Sequence, residues 1–287
     1  MNKDRISWMI FPLAAELAVG KLSVVQVFQA AKQSGLCQID LMNIPSKKLS
    51  VYQAASKASG VDVCCYIEWL SFFVPRQALE NAIRQAAEKA KQLQAKHLMI
   101  VPYKGLSDQL RARSMGRKAV LQAMCRGFQL AVELCRREGV SVCFENTPHT
   151  ELCLSASADC KAVLDAVPGL GFVFDTANML PAGEDTLTAY TMLKPYINYV
   201  HLKDVTLSRG RAFSRYAEHT ADGRAIRFAV WGDGIIPLEA LVQNMLADGY
   251  TGDFALEYAR PGAPLCGMAQ HMEQLARHLD QPWVKTK

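Results

Sequence analysis

The feature that most constrains this chain is a rhythm. Short, almost uninterrupted apolar runs alternate with longer runs of helical period, eight times over. The apolar runs fall at about 6–13, 37–42, 61–67, 97–102, 140–145, 170–175, 197–202 and 253–257. They lack the apolar–polar alternation of a strand with one wet face. They read instead as strands covered on both sides, which is the condition of a parallel sheet. Parallel neighbours need crossover connections, and the intervening helices supply them. Helices are expected near 23–34, 51–59, 75–95, 117–138, 157–166, 185–193, 237–248 and 267–279. Ser23 is a suitable N-cap, Pro75 suits a first turn, and Gly35, Gly60, Gly139 and Gly249 are suitable stops. A loop holding Gly105 and Ser107 should precede the long helix at 117–138. Eight such units predict an α/β protein, a single-domain (β/α)8 TIM barrel over 1–287. An open doubly wound sheet would carry a glycine-rich turn after its first strand, and the segment FPLAAELAVG shows none. One stretch, at about 206–231, breaks the rhythm and reads as an irregular insert after the seventh strand.

Composition narrows the partners. The 32 basic and 27 acidic residues leave a net charge of +5, spread along the chain. The longest basic cluster (Arg111, Arg113, Arg117, Lys118) is loose, has no interleaved aromatics and reads as a solvated helix start. No nucleic-acid partner is expected. The apolar N-terminal stretch is interrupted by Pro12 and Glu16, and Asp4 offsets its basic start, so it reads as a first strand and not a signal peptide. No uncharged apolar run reaches the roughly 18 residues of a membrane span, so no membrane partner is expected. The nine cysteines form no CxxC and several lie inside apolar runs such as VDVCCY. They read as free thiols in a reducing, cytoplasmic compartment.

Barrel chemistry sits where strands end at their C-terminal side. Four consecutive apolar runs end in a polar group there: VSVCFE in Glu145, GFVFD in Asp175, INYVH in His201 and GDFALE in Glu257. Adjacent strands lie about 4.8 Å apart, so the four ends can converge on one ion. Three carboxylates and an imidazole suit Mn²⁺, Mg²⁺ or Co²⁺, with Zn²⁺ and Fe²⁺ as alternatives. Such an ion can hold vicinal oxygens of a sugar or keto-polyol and stabilise the enediolate left when the neighbouring carbon loses a proton. Glu145 and Glu257 lie on different strands and can face opposite sides of a substrate as base and acid. Trp69, Trp8, Tyr66 and Tyr103 are candidate stacking aromatics. Asp40 and Glu68, near the ends of the second and third runs, are further pocket candidates.

The segments CFENTPH, FVFDTANM, YVHLKDV, WGDGIIP and FALEY resemble the xylose isomerase-like sugar isomerase/epimerase superfamily, which includes ketose 3-epimerases, hydroxypyruvate isomerases and inosose dehydratases. The likeness is detailed over about 140–260 and confined to the strand–helix rhythm before that. It implies that Glu145, Asp175, His201 and Glu257 are metal ligands, that Mn²⁺ is the leading ion, and that the two glutamates form the acid/base pair. It implies substrate contact for Glu151, six residues after the first ligand. There are departures. Asn178 stands where the epimerases carry a histidine, and Arg209 and Arg211 lie off the position of their substrate-binding arginine. The sequence HLKD, a long insert and GDG look more like the inosose-dehydratase branch, where Lys203 would help a hydroxyl leave. The expectation is therefore a metal-dependent sugar or keto-polyol isomerase or epimerase, or else a dehydratase, with Glu151, Asn178, Lys203, Arg209 and Trp69 at the substrate. The insert and its arginines would cover the site. An apurinic endonuclease-like enzyme is disfavoured, because Ser214 and Tyr216 stand where that branch has an aspartate and a histidine. A non-catalytic sugar-binding barrel is disfavoured by the intact ligand set. Dimers and tetramers are frequent in the resembled family, so the resemblance is compatible with a homo-oligomer, while the sequence itself leaves the oligomeric state open.

Overall fold

The computed structural model describes residues 3–208 and 218–257. Parallel strands β1 (Ile6–Met9), β2 (Gln38–Met42), β3 (Asp62–Trp69), β4 (His97–Val101), β5 (Val142–Glu145), β6 (Gly171–Asp175) and β7 (Ile197–Leu202) follow one another around a barrel. An antiparallel ribbon of β8 (Val205–Ser208) and β9 (Ala225–Phe228) stands apart from it. Strand β10 (Asp253–Leu256) then pairs with β7 and β1 and closes the circle. The connecting helices are α1 (Ala14–Ala18), α2 (Val24–Gln33), α3 (Leu49–Ser59), α4 (Arg76–Gln92), α5 (Leu106–Met115), α6 (Arg117–Arg137), α7 (Ser157–Ala166), α8 (Thr186–Leu193) and α9 (Leu238–Ala247).

Local chemistry explains where these elements start and stop. Ser23 and Gln26 form a reciprocal capping box at the head of α2. The Asp185 carboxylate accepts from the Thr188 amide and caps α8. Gly60 ends α3 with φ of 69°, a left-handed conformation that other residues adopt only at a cost.

Two apolar layers fix the barrel. Inside it, Met9, Cys65, Ile67, Met99, Cys143, Val173, Tyr199 and Ala255 pack together. Outside it, the opposite faces of the strands meet the helices in one continuous core. There Phe128, Phe144, Phe172 and Phe174 form a row with successive centroids 4.9, 5.2 and 6.4 Å apart. Burying each such ring contributes about 1.5–3 kcal/mol. Strands β5 and β6, which end in two candidate ligands, thus rest on a stiff floor.

Several expectations need correction. The first apolar run does not stay extended to residue 13; it turns at Phe11–Leu13, where Pro12 removes a ladder donor. The stretch holding Gly105 and Ser107 is helix α5, entered and left at Gly105 and Gly116, both with positive φ. The insert is not wholly irregular, because β8 and β9 lie within it. Glu68 and Tyr66 are not pocket residues. They point to the helix side of β3, where Glu68 pairs with Lys89 of α4 at 3.0 Å and accepts from the Tyr66 hydroxyl. Trp8 is 2% exposed and belongs to the outer core, not to the rim. The helix at 267–279, Arg209 and Arg211 lie outside the described residues. Among the described residues no helix is long and apolar enough to cross a membrane.

Candidate metal centre

Four strand ends place the four candidate ligands. Glu145 and Asp175 are the last residues of β5 and β6, His201 is the fifth residue of β7, and Glu257 follows β10. Register brings them level. Asp175 pairs with His201, and His201 with Ala255, two residues before Glu257. The Glu257 amide extends the ladder by donating to the Leu202 carbonyl at 3.1 Å. Between β5 and β6 a side chain continues the pairing: Asn146 Oδ1 accepts from the Asp175 amide (2.8 Å) and Nδ2 donates to the Asp175 carbonyl (3.0 Å). Thr176 does the same between β6 and β7, bonding both the amide and the carbonyl of Lys203. These two residues were not singled out from sequence. Their signal is a hydrogen-bonding residue directly after a strand-ending acid, in the segments FEN and FDT.

One donor atom from each of Glu145, Asp175, His201 and Glu257 lies within 4.8 Å of all the others. His201 Nδ1 is 2.5 Å from Glu145 Oε1 and 3.7 Å from Glu257 Oε2. Asp175 Oδ1 accepts from the amides of Ala177 and Asn178 (2.8 and 2.9 Å), which turns Oδ2 into the cluster. That atom is buried and has no hydrogen-bond partner among the described residues. An orphaned, fully buried carboxylate oxygen facing two more carboxylates and an imidazole fits a bound divalent cation.

The electrostatics agree with that fit. Burial pushes the Glu145 carboxyl up, and His201 only partly offsets this. Burial drives Asp175 well up; Lys203 opposes the rise, while Glu257 and Glu145 add to it. Glu257 is also penalised by burial, yet Lys203 and His201 hold it below the usual carboxylate range. His201 is pushed up to about 10: burial works against its charge, and Glu145 foremost, then Glu257 and Asp40, outweigh it. Negative charge is crowded here beyond what the protein's own cations neutralise.

Asp40, a further pocket candidate from sequence, lies against His201. It is 1% exposed and accepts from Ser7 Oγ (2.6 Å), Tyr199 Oη (2.7 Å) and the Cys65 amide (3.2 Å). Its Oδ2 is 3.8 Å from His201 Nε2. The imidazole thus turns Nδ1 to the carboxylate cluster and Nε2 to Asp40.

Lys203 enters the same cavity. Its ammonium is 3.5 Å from Glu257 and 3.9 Å from Asp175, and it donates to Asn178 Oδ1 at 3.0 Å. The Asn178 Nδ2 group donates to the Asn146 carbonyl, so both ends of this amide are engaged within the protein. Burial would deprotonate Lys203, but Glu218, Glu257, Asp175 and Glu145 together hold its pKa well up. Glu218, 4.0 Å away, was not foreseen. Nor was the role of Asp204, which makes no ion pair with Lys203. Its carboxylate accepts from the amides of Val205, Gly232, Gly234 and Ile236 at 2.9–3.2 Å and latches the WGDG loop. A Cβ on Gly234 would lie 2.6 Å from the Val205 carbonyl, which explains the glycine.

A wall of aromatic and acidic groups faces this set. Trp69 stacks on Tyr103 at 6.0 Å, and Tyr103 meets His149 edge-on at 4.9 Å. Glu151 pairs with Arg113 of α5 at 3.4 Å. Burial raises the Tyr103 hydroxyl, and the charges of Glu145, Glu218 and Glu151 raise it further.

Comparison with known proteins matches residues 25–281 to the xylose isomerase-like TIM barrel family. An inosose dehydratase of Lacticaseibacillus casei is 22% identical over 139 residues, 47% of this chain and 46% of that protein. The match thus spans about half the length of this curated relative. The crystal structure of a probable 3-DHS dehydratase of Bacillus anthracis, described as involved in petrobactin synthesis, superposes with a TM-score of 0.74 at 17% identity, covering 95% of this chain and 98% of that one. A xylose isomerase-like TIM barrel protein of Mycobacterium smegmatis, in complex with magnesium, gives 0.67 at 15% identity, over 89% and 87%. At these identities the two structures show the shared fold.

Proposed function

The chain belongs to the xylose isomerase-like TIM barrel family, and on that premise we propose that it is a divalent-metal-dependent enzyme moving a proton next to the carbonyl of a keto-polyol. The observation that carries the reading is the buried Asp175 Oδ2, which has no hydrogen bond among the described residues and faces Glu145, His201 and Glu257. These four residues would hold the ion, Mn²⁺ or Mg²⁺ by their oxygen-rich chemistry. When bound, it would polarise the substrate carbonyl and neutralise an enediolate. A magnesium complex of a protein with the same fold supports the choice of a hard cation.

The chain's own residues supply the proton chemistry. One glutamate of the Glu145/Glu257 pair takes the proton from the carbon beside the carbonyl, and the electron pair moves onto the carbonyl oxygen. Collapse of this enediolate can expel a β-hydroxyl, to which the Lys203 ammonium gives a proton as water leaves. With Glu257 as the base, its Oε1, 3.5 Å from Lys203 Nζ, then allows the proton gained by the carboxylate to return to the amine. Lys203, buried and held protonated inside the site, favours dehydration over mass-neutral rearrangement. The two dehydratases among the similar proteins support that preference. Epimerisation or isomerisation is the second reading, favoured by the placement of Glu145 and Glu257 on different strands. Asp40 would act as a positioning residue: at 3.8 Å from Nε2 it makes no hydrogen bond, but its charge favours the imidazole proton on that nitrogen and leaves Nδ1 to ligate. Trp69, Tyr103 and Glu151 would line the substrate side.

The test is to incubate Mn²⁺-loaded protein with inososes and other keto-polyols and read product mass. Loss of one water supports dehydration, and a mass-neutral product supports the second reading. No conversion with Mn²⁺, Mg²⁺, Co²⁺ or Zn²⁺ would count against both.

A further inference from the structure

The opposite mouth of the barrel gathers a second set of donor atoms. Cys64 on β3, His97 at the start of β4 and Asp253 at the start of β10 bring sulfur, nitrogen and oxygen within 4.8 Å of one another. Cys64 Sγ is 3.6 Å from Asp253 Oδ2. Two donors bound to one tetrahedral zinc at about 2.3 and 2.0 Å keep a separation of about 3.5 Å. The His97 ring is fixed in plane by stacking on Tyr199, with centroids 5.4 Å apart. The three residues do not come from one edge of the sheet. Strands β3 and β4 are neighbours, whereas β10 is separated from β3 by β1 and β2. A shared ion would therefore tie the barrel together across its floor.

A cation is already drawn to this place. The Lys96 ammonium lies 3.1 Å from Asp253 Oδ2, and its side chain is 49% exposed. It can swing into water and release the oxygen with little loss, because a half-exposed ion pair is weak.

We propose that Cys64, His97 and Asp253 form a second metal site, selective for a borderline cation of the zinc type, with Lys96 as its competitor. Mixed sulfur, nitrogen and oxygen donors select such ions over the hard cations that suit the other mouth. On binding, the Cys64 thiol gives its proton to solvent and ligates as thiolate. The ion staples β3, β4 and β10 and takes no part in turnover. The inference does not depend on the reaction proposed above.

Cobalt(II) is the probe, because a cobalt–thiolate bond gives a near-ultraviolet charge-transfer band that oxygen and nitrogen ligands do not. Chelator-treated full-length chain would be titrated with Co²⁺ as wild type, as Glu145→Gln/Glu257→Gln, as Cys64→Ser and as Lys96→Met. The proposal expects the band in wild type and in the double glutamate variant, its loss in Cys64→Ser, and about fivefold tighter binding in Lys96→Met. Asp253→Asn, at a strand start, repeats the test should Cys64→Ser fold poorly, and should weaken binding at least tenfold. Absence of the band in wild type at saturating cobalt overturns the proposal. So does a band that survives Cys64→Ser and Asp253→Asn, or one that disappears with the two glutamates.

Discussion

The two mouths of this barrel are built from the same strands and gather opposite chemistry. At the C-terminal mouth Glu145, Asp175 and Glu257 crowd around His201 and Lys203, and a buried carboxylate oxygen is left without a hydrogen bond. At the N-terminal mouth the carboxylate of Asp253 is already neutralised by Lys96. The difference teaches what a working site costs. Burial raises Glu145 and Asp175, and Glu257 raises both further, so the crowding is unfavourable until a cation enters, although Lys203 and His201 keep Glu257 itself low. The lower cluster holds a single carboxylate among its three donors, and burial, with Asp40 and Asp253, keeps its Cys64 thiol protonated. Between them Tyr199 bridges the two regions, donating to Asp40 above and stacking on His97 below.

The contrast can be broken most forcefully at the upper mouth. Glu257→Gln should lower turnover by about 10²–10⁴-fold and reduce metal content. Near-normal turnover with metal present would remove Glu257 from the acid/base pair. The loop beside the site should come next. Asp204→Ala strands four amides that now share one carboxylate and should cost about 2–4 kcal/mol in urea unfolding. A change below about 0.5 kcal/mol would mean that the WGDG loop holds itself. Asp40→Asn keeps size and most hydrogen bonds but removes the charge facing Nε2. It should weaken metal binding about 10–100-fold by calorimetry while leaving the melting curve nearly unchanged. Unchanged affinity would leave His201 to orient itself.

Protons sharpen the comparison further. In the metal-free site His201 keeps its proton up to about pH 10. Ligation through Nδ1 expels that proton, so affinity should rise with pH, by about one log unit per pH unit for each proton released, through the neutral range. Calorimetry at two pH values in buffers of different ionisation heat reads both slope and proton count. A flat profile would place the ion elsewhere. The smallest effect belongs to Arg113→Ala. Its pair with Glu151 is largely solvated on the arginine side, at 61% exposure, so KM should rise less than about threefold. A tenfold rise would make Arg113 a substrate contact.

Much of this was readable in the sequence because strand ends are written in it. The apolar runs closing in Glu145, Asp175, His201 and Glu257 were legible, since a barrel buries both faces of a strand until its rim. The run at 197–202 and the helix at 157–166 coincide with β7 and α7. What was hidden has physical causes. The α5 segment has little apolar periodicity and looked like a loop. Glu68 and Tyr66 alternate with interior residues, and only the pleat decides which face they take; here it sends them to Lys89. Asp40 was flagged only as one strand-end acid among others, because its partners Ser7, Cys65 and Tyr199 are scattered along the chain. Asn178, expected at the substrate, has both ends of its amide bound to Lys203 and Asn146, which sequence spacing does not reveal. Arg209 and the helix at 267–279 lie outside the described residues.

The most direct test of the central claim is a Mn²⁺ titration followed by electron paramagnetic resonance of the free ion. Mn²⁺ is hard and discriminates against the thiolate-bearing mouth. The account predicts one Mn²⁺ per wild-type chain, lost in Glu145→Gln/Glu257→Gln and retained in Cys64→Ser. No binding by wild type, or equal binding by the double glutamate variant, would contradict it.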